Sequence, residues 1–399
     1  MRYHAKPAIP AIITLGAVQI LSWGGSFYLM AVMAAPIIAE TGWPRQWVYG
    51  ALSLGILVSG LLAPLSGRLI ARGYGPALLA GGGIVMAAGL VLMGLSYRPG
   101  WFFAAWLLIG TGMAMSLYDS LFATLGTLYG GQARSAITGV TLISGLCTTL
   151  VWPGTAWLIA LAGWRDACFI IAALLTLLVF PAYRYALPPP VMQTESRGGE
   201  TGAASDALQN APSSQLFWLL CAIFTLASVI MTAISVQLIT LLQSGGYSLS
   251  AALALSAILG PCQIGSRLLD VLFKRSHPIW TALFSVGLVA AGLMLLALFP
   301  AMALVAMMLY GAGNGLRAIV RGTLPLVVVK PEHYAVVTGR MARPALIGQA
   351  LTPLAGGWLF ARAGADITLW VLCGLAGVNV LLVMLLKQQL PAQASSVQN

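Results

Sequence analysis

An all-α polytopic membrane protein, with twelve spanning helices in two pseudo-symmetric bundles of six, is the fold class this sequence predicts. Three observations predict it. Only 7% of the 399 residues are charged and 59% are hydrophobic, whereas a soluble domain carries about 25% charged residues. Charges vanish over repeated stretches of about 20 residues, the length that crosses a bilayer. Small and polar residues then recur between the two halves at nearly one spacing.

The first half places charge-poor stretches at 9–38, 47–70, 77–97, 101–126, 136–161 and 167–187. The second places them at 215–243, 249–272, 279–299, 302–328, 339–360 and 367–387. The first apolar run, Pro7 to Ala39, exceeds a signal-peptide core of about 7–15 residues and reads as a spanning helix. Between the halves lie Pro188-Pro189-Pro190, Glu195, Arg197, Gly198-Gly199, Glu200 and Asp206. Such polar, Pro- and Gly-rich sequence reads as a flexible linker. The predicted organisation is therefore a first bundle at 1–187, a linker at 188–214 and a second bundle at 215–399.

The net charge of +11 comes from basic residues scattered singly between apolar runs. That pattern suits short loops facing anionic headgroups and argues against nucleic acid as a partner. With a cytoplasmic N-terminus, Arg2, Lys6, Arg68, Arg72, Arg134, Arg184, Lys274, Arg275, Lys330 and Lys387 fall on the inner side. Arg45, Arg98, Arg165 and Arg362, with Glu40, Asp166 and Asp366, fall outside. The bias predicts a multi-pass protein of a bacterial inner membrane with both termini cytoplasmic. Trp43, Trp47, Trp101, Trp164 and Trp218 end the stretches and read as interface anchors. The cysteines at 147, 168, 221, 262 and 373 sit in apolar runs without a C-x-x-C pair and read as small core residues.

Thr138-Gly139 leads to Pro153, and Thr338-Gly339 leads to Pro353, each 200 residues further on. Gly110-Thr-Gly112 recurs as Gly311-Ala-Gly313, and Pro64-Leu-Ser-Gly67 resembles Pro261-Cys-Gln-Ile-Gly265. Six-plus-six repeats of this kind build secondary transporters. Clusters such as Gly81-Gly82-Gly83 also serve close helix packing.

Three stretches add a resemblance. Gly163-Trp164-Arg165 followed by Phe169 looks like the Gly-Trp-Arg-x-x-Phe hairpin of the major facilitator superfamily. The loop Gly67-Arg68-Leu69-Ile70-Ala71-Arg72-Gly73 is similar to that superfamily's Gly-x-x-x-Asp-Arg-x-Gly signature; Gly67 and Arg72 remain, and Ala71 stands where the signature has aspartate. Ser22 to Tyr28 and Glu40 to Trp43 resemble members near the monocarboxylate and oxalate/formate porters. The resemblance covers nearly the whole chain. It implies alternating access of two bundles, stretches 1, 4, 7 and 10 around a central cavity, and a monomer.

The charged residues at membrane depth are the candidate site. Arg317 and Arg321 share one helix face; a charge there costs about 2.5–3.5 kcal/mol on insertion scales, so both must face protein, water or ligand. They are fork-shaped donors that fit a carboxylate, phosphate or sulfate. The other reading is a gate in which they pair with Asp119 and helix-end carbonyls. Asp119 is the one acid inside a stretch of the first half. A dry site favours its protonated form and a nearby arginine the carboxylate, which is the physics of proton coupling. A permanent ion pair, or a contact with Arg134 across the inner loop, is the alternative. Asn314 on the arginine helix offers an amide to substrate or to a neighbouring helix. Gln19, Trp23 and Ser26 fall near one face and can line a cavity with Tyr118 and Gln237; Trp23 reads more as a packing residue than as a stacking platform. Gly67, Arg72, Arg134, Arg267 and Asp270 read as inner-end gate or latch residues.

The sequence holds no phosphate-binding loop, no channel filter and no catalytic set, and its histidines (His4, His277, His333) all lie in loops. No enzyme activity, metal or other cofactor is expected. The function read here is proton-coupled secondary transport of a small organic solute, an anion or carboxylate. The alternative is a proton-antiport exporter of drugs or toxic metabolites.

Overall fold

The computed structural model describes residues 8–188, 214–272, 277–330 and 332–396. Arg2, His4, Lys6, Lys274, Arg275 and positions 189–213 of the linker lie outside the described residues. Among the described residues the structure is helical, with no strand.

The first half comprises α1 (Ile9–Gly24), α2 (Met30–Thr41), α3 (Arg45–Leu69), α4 (Gly75–Gly94), α5 (Pro99–Ser116), α6 (Tyr118–Tyr129), α7 (Ala133–Ser144), α8 (Cys147–Leu174) and α9 (Phe180–Ala186). The second comprises α10 (Ser214–Ser244), α11 (Leu249–Ala257), α12 (Leu259–Leu272), α13 (Pro278–Leu298), α14 (Ala303–Val328) and α15 (Tyr334–Ser396). Several helices start with proline in the first turn, where its missing N–H costs nothing: Pro10, Pro76, Pro99 and Pro278. His277 caps α13 by accepting from the Ile279 N–H at 3.2 Å.

Seven helical runs among the described residues are long and apolar enough to cross a membrane. Three of them, of 50, 88 and 57 residues, far exceed the roughly 20 that one crossing needs. Each joins helices across a kink at a glycine with positive φ: Gly73 (92°), Gly163 (82°) and Gly364 (80°). Leucines, valines and tryptophans cover the outer faces, such as Leu61, Leu161, Leu354 and Trp358. That surface suits lipid as solvent, with backbone polar groups satisfied inside each helix. All five cysteines are free thiols, and all but Cys262 are buried.

The chain divides into two compact units. The first holds Met1–Ala211 and Val329–Ala350; the second holds Pro212–Val328 and Leu351–Asn399. Residues 329–350 therefore pack with the first unit. A Cβ placed on Gly67 would lie 2.5 Å from the Ala335 carbonyl and 3.2 Å from the Gly339 Cα. Backbone contact this close needs glycine on both sides.

Each unit uses the same small-residue device. In the first, Gly110 of α5 meets the backbone of Gly55 on α3, and a Cβ on Gly112 would lie 2.8 Å from the Gly82 carbonyl on α4. In the second, Gly311 of α14 meets Leu259 and Cys262 on α12, and a Cβ on Gly313 would lie 2.6 Å from the Ser285 carbonyl on α13. Glycines two apart point to different neighbours on a helix, so each pair docks one helix against two others.

The Gly163-Trp164-Arg165 hairpin closes the end of the first unit. Gly163 takes φ 82°, which an L side chain disfavours. The turn delivers Arg165, whose Nε donates to Glu40 Oε1 at 2.9 Å. Its NH1 donates to the carbonyls of Gly94 and Ser96 at 2.7 and 2.8 Å. Trp164 is 2% exposed and donates Nε1–H to Glu40 Oε2 at 2.6 Å. It is an internal clasp, which corrects the reading of Trp164 as an interface anchor. Trp47, Trp101 and Trp218 are exposed.

Candidate functional site

Three of the predicted spans in the first unit are interrupted. The helix of the first stretch stops at Gly24 and resumes at Met30; the fifth breaks at Gly145 and Leu146, between α7 and α8. The fourth breaks at Leu117, whose φ −78° and ψ −176° are extended. Backbone groups freed at such depth need partners, because hydrocarbon supplies none.

The break at Leu117 is satisfied by side chains. Gln19 donates Nε2–H to the Ser116 carbonyl at 2.7 Å and to the Tyr183 hydroxyl at 3.0 Å. Tyr183 donates in turn to Ser116 O at 3.4 Å. Ser120 donates its hydroxyl to Ala114 O at 2.6 Å. Trp23 donates Nε1–H to Gln19 Oε1 at 3.1 Å, so Gln19 is held at both ends. Gln19 and Tyr183 are fully buried.

Around this break the aromatic rings gather. Trp23 lies 5.0 Å from Tyr118 and 5.8 Å from Tyr28; Tyr28 lies 6.3 Å from Trp152; Tyr118 stacks on Phe122 at 4.9 Å. Tyr118 and Ser144 share a hydroxyl hydrogen bond at 2.5 Å. Gln19, Trp23 and Tyr118 are thus brought together around the helix break. Ser26 is buried and turned away, donating to Ser22 O at 2.6 Å. Asp119 is half-buried in the first turn of α6, where the helix dipole favours a negative charge by about 0.3–1 kcal/mol.

Gln19→Leu is expected to destabilise the protein by about 1–3 kcal/mol, the cost of an unpaired buried carbonyl. Thermal unfolding in detergent checks this. An unchanged midpoint would mean that Tyr183 alone satisfies Ser116.

In the second unit, α14 carries Asn314, Arg317 and Arg321, all half-buried. Arg317 donates Nε–H to Asn314 Oδ1 at 2.9 Å. Both line a cavity of about 30 Å³ together with Ser285, Tyr310 and Asn379, and with apolar walls from Phe224, Ile230 and Val286. Asn379 is 3% exposed, and its Oδ1 has no hydrogen-bond partner among the described residues. An orphan acceptor of this kind costs about 1–3 kcal/mol. Arg321 is not part of its wall. Gln237 lies off the cavity, 7% exposed, against Gly356, where a Cβ would come 2.8 Å from its Nε2.

Two of the other charged residues tie helices together. Arg267 is buried and donates Nε–H to the Gly315 carbonyl at 3.0 Å, tying α12 to α14. Asp270 Oδ1 accepts from the Thr281 hydroxyl at 2.9 Å, tying α12 to α13. Arg72 is exposed, and Arg134 is half-buried in α7.

Sequence reasoning missed Tyr183, Ser144, Ser285, Asn379 and the Glu40–Arg165 pair as site or clasp residues. The cluster Ser116-Leu-Tyr-Asp119-Ser120 carried a signal, since Ser and Asp favour helix starts over interiors. Gly24-Gly25 carried another.

The family model of the Major Facilitator Superfamily matches residues 15–342. No curated protein matches the chain. Among solved structures, the human organic anion transporter MFSD10 (TETRAN) is similar at 15% identity, with 95% of this chain and 100% of that chain covered and a TM-score of 0.72. FucP in the outward conformation is similar at 12% identity, 95% and 98% coverage and a TM-score of 0.76. The proton:xylose symporter XylE bound to 6-bromo-6-deoxy-D-glucose is similar at 13% identity, 94% coverage of both chains and a TM-score of 0.65. At these identities the likeness carries the fold. With the family matched over most of its length and the helical fold in agreement, this chain belongs to the major facilitator superfamily.

Proposed function

We propose that this protein is a secondary transporter that moves a small organic anion by alternating access, coupled to protons. The observation that carries the reading is Arg317, held by Asn314 at 2.9 Å on the wall of a cavity in the second unit. A fixed guanidinium at membrane depth presents a donor fork to a carboxylate, at a cost that only a function or a pairing offsets. Arg321, one turn on, adds positive potential to the same helix. An organic anion transporter and a proton symporter share the fold; at their low identities they establish no substrate here, so the anion reading stands on Arg317.

Asp119 is the proton site in this proposal. It sits half-buried where α6 begins, next in sequence to Tyr118. Hydration and partners at such a helix break change as a bundle rearranges, which shifts the balance between acid and carboxylate. The proposal keeps twelve crossings, both termini cytoplasmic, a bacterial inner membrane and a monomer.

A second reading has its own observation. Trp23, Tyr28, Tyr118 and Trp152 form an aromatic cluster with Asp119 next in sequence to Tyr118. Rings of this kind attract cations, which suits an exporter of amphiphilic cations.

Asp119→Asn is expected to abolish uphill accumulation driven by a pH gradient while counterflow exchange persists. Both are measured with one labelled substrate in proteoliposomes. Uphill transport that survives at every pH would remove Asp119 from the coupling role.

A further inference from the structure

The turn that closes the end of the first unit has a copy in the second. Gly364 lies 201 residues after Gly163, and the two share one backbone conformation: φ 82° with ψ 167°, and φ 80° with ψ −178°. That region is essentially reserved for glycine. Gly42 and Gly246, both with positive φ, mark a second matched turn, 204 residues apart.

The side chains around the matched turns differ. In the first unit the Arg165 guanidinium lies over the Tyr97 and Trp164 rings, 4.3 Å from each centroid, while it bonds Glu40 and the Gly94 and Ser96 carbonyls. In the second unit, at the same spacings, Ala365 stands for Trp164, Asp366 for Arg165 and Ser244 for Glu40. Asp366 is exposed and makes no ion pair among the described residues. Ser244 donates to the Leu241 carbonyl of its own helix at 2.8 Å. The carbonyl that matches Ser96 is that of Pro300, and it accepts from the Tyr247 hydroxyl at 2.8 Å. Ala365 and Tyr247 otherwise rest on an apolar cluster with Leu241, Leu296 and Leu372.

Opening the first turn breaks an ion pair and the hydrogen bonds of a guanidinium, which are about twice as strong as neutral ones. Opening the second breaks one neutral hydrogen bond and lets apolar side chains slide. Local opening is easiest where such bonds are few. We infer that the Gly364 turn, with residues 244–248 and 298–302, is a moving gate of the transport cycle, and that the Glu40–Arg165 clasp holds the matching end of the first unit fixed. The inference rests on the alternating-access reading above and is independent of the substrate's charge.

The test is hydrogen exchange on the purified full chain in lipid nanodiscs. Amides of 364–370 are expected to exchange at least about 10-fold faster than those of 163–169. Arg165→Met is expected to remove most of that difference by loosening 163–169 alone; Glu40→Gln, a milder change, is expected to shrink it if Arg165→Met does not fold. Thiol labelling reads the same motion as access. Thr368 and Ala167 are both buried and hold matched positions. Thr368→Cys is therefore expected to react with a membrane-impermeant maleimide at least about 10-fold faster than Ala167→Cys, with the label located by peptide mass. Equal exchange at the two turns of the wild type, or faster exchange at 163–169, would overturn the inference and leave the transport reading standing. Faster exchange at 364–370 in a reconstituted protein that moves neither small carboxylates nor lipophilic cations would overturn the alternating-access reading itself.

Discussion

Arg317→Gln is expected to abolish binding of small carboxylates while leaving the protein folded. Arg317 lines the cavity from α14, and its Nε donates to Asn314 Oδ1. Truncating one partner of a buried, hydrogen-bonded charge pair costs about 2–5 kcal/mol, so affinity should fall at least about 30-fold. Glutamine keeps a donor and much of the side-chain bulk. Arg317→Lys keeps the charge and loses the fork, so it should fall between. Binding isotherms on purified variants, with unfolding temperature as the folding control, decide this. Wild-type affinity in a folded Arg317→Gln would mean that the arginine holds the bundle together and takes no substrate.

Gly110→Val is expected to prevent assembly of the first unit. At this crossing α5 runs against α3 with the Gly110 Cα facing the Gly55 backbone, and a Cβ there falls on the Gly55 carbonyl oxygen. A flexible side chain can move aside; a helix backbone cannot without unmaking its own hydrogen bonds. Overpacking typically costs about 1–3 kcal/mol, and a branched residue against backbone belongs at or above the upper end. Gly154→Ala is the control. Nothing lies within 4 Å of a Cβ at Gly154 in α8, and alanine is the better helix former by about 1 kcal/mol. The expected outcome is loss of monodisperse protein for Gly110→Val and equal or higher thermal stability for Gly154→Ala. A Gly110→Val protein with a wild-type midpoint would refute the close crossing.

The helical membrane fold was legible because bilayer chemistry writes it in composition. Lipid requires long charge-free stretches, and short basic loops separate them. The paired glycines were legible as a repeat, and the structure supplies the reason: Gly110 and Gly112, like Gly311 and Gly313, each dock against two neighbours. What stayed hidden depends on tertiary partners. Leu117 is an ordinary apolar residue in an apolar run, and its extended backbone is tolerated only because Gln19 and Tyr183 reach Ser116 from 97 and 67 residues away. Glu40 and Arg165 read as loop charges, yet they pair across 125 residues. Asn379 is one polar residue in a hydrophobic stretch, and its buried acceptor appears only when Arg317 and Tyr310 share its cavity. That residues 329–350 pack with the first unit follows from the Gly67–Gly339 approach, which hydropathy does not register.

Proton-coupled transport of a small organic anion would register as a substrate-induced pH change inside proteoliposomes. The panel pairs small carboxylates with lipophilic cations. The expected result is a pH signal with the carboxylates that disappears in Asp119→Asn. A signal with the cations alone would contradict it and recast Arg317 and Arg321 as gate residues of an exporter.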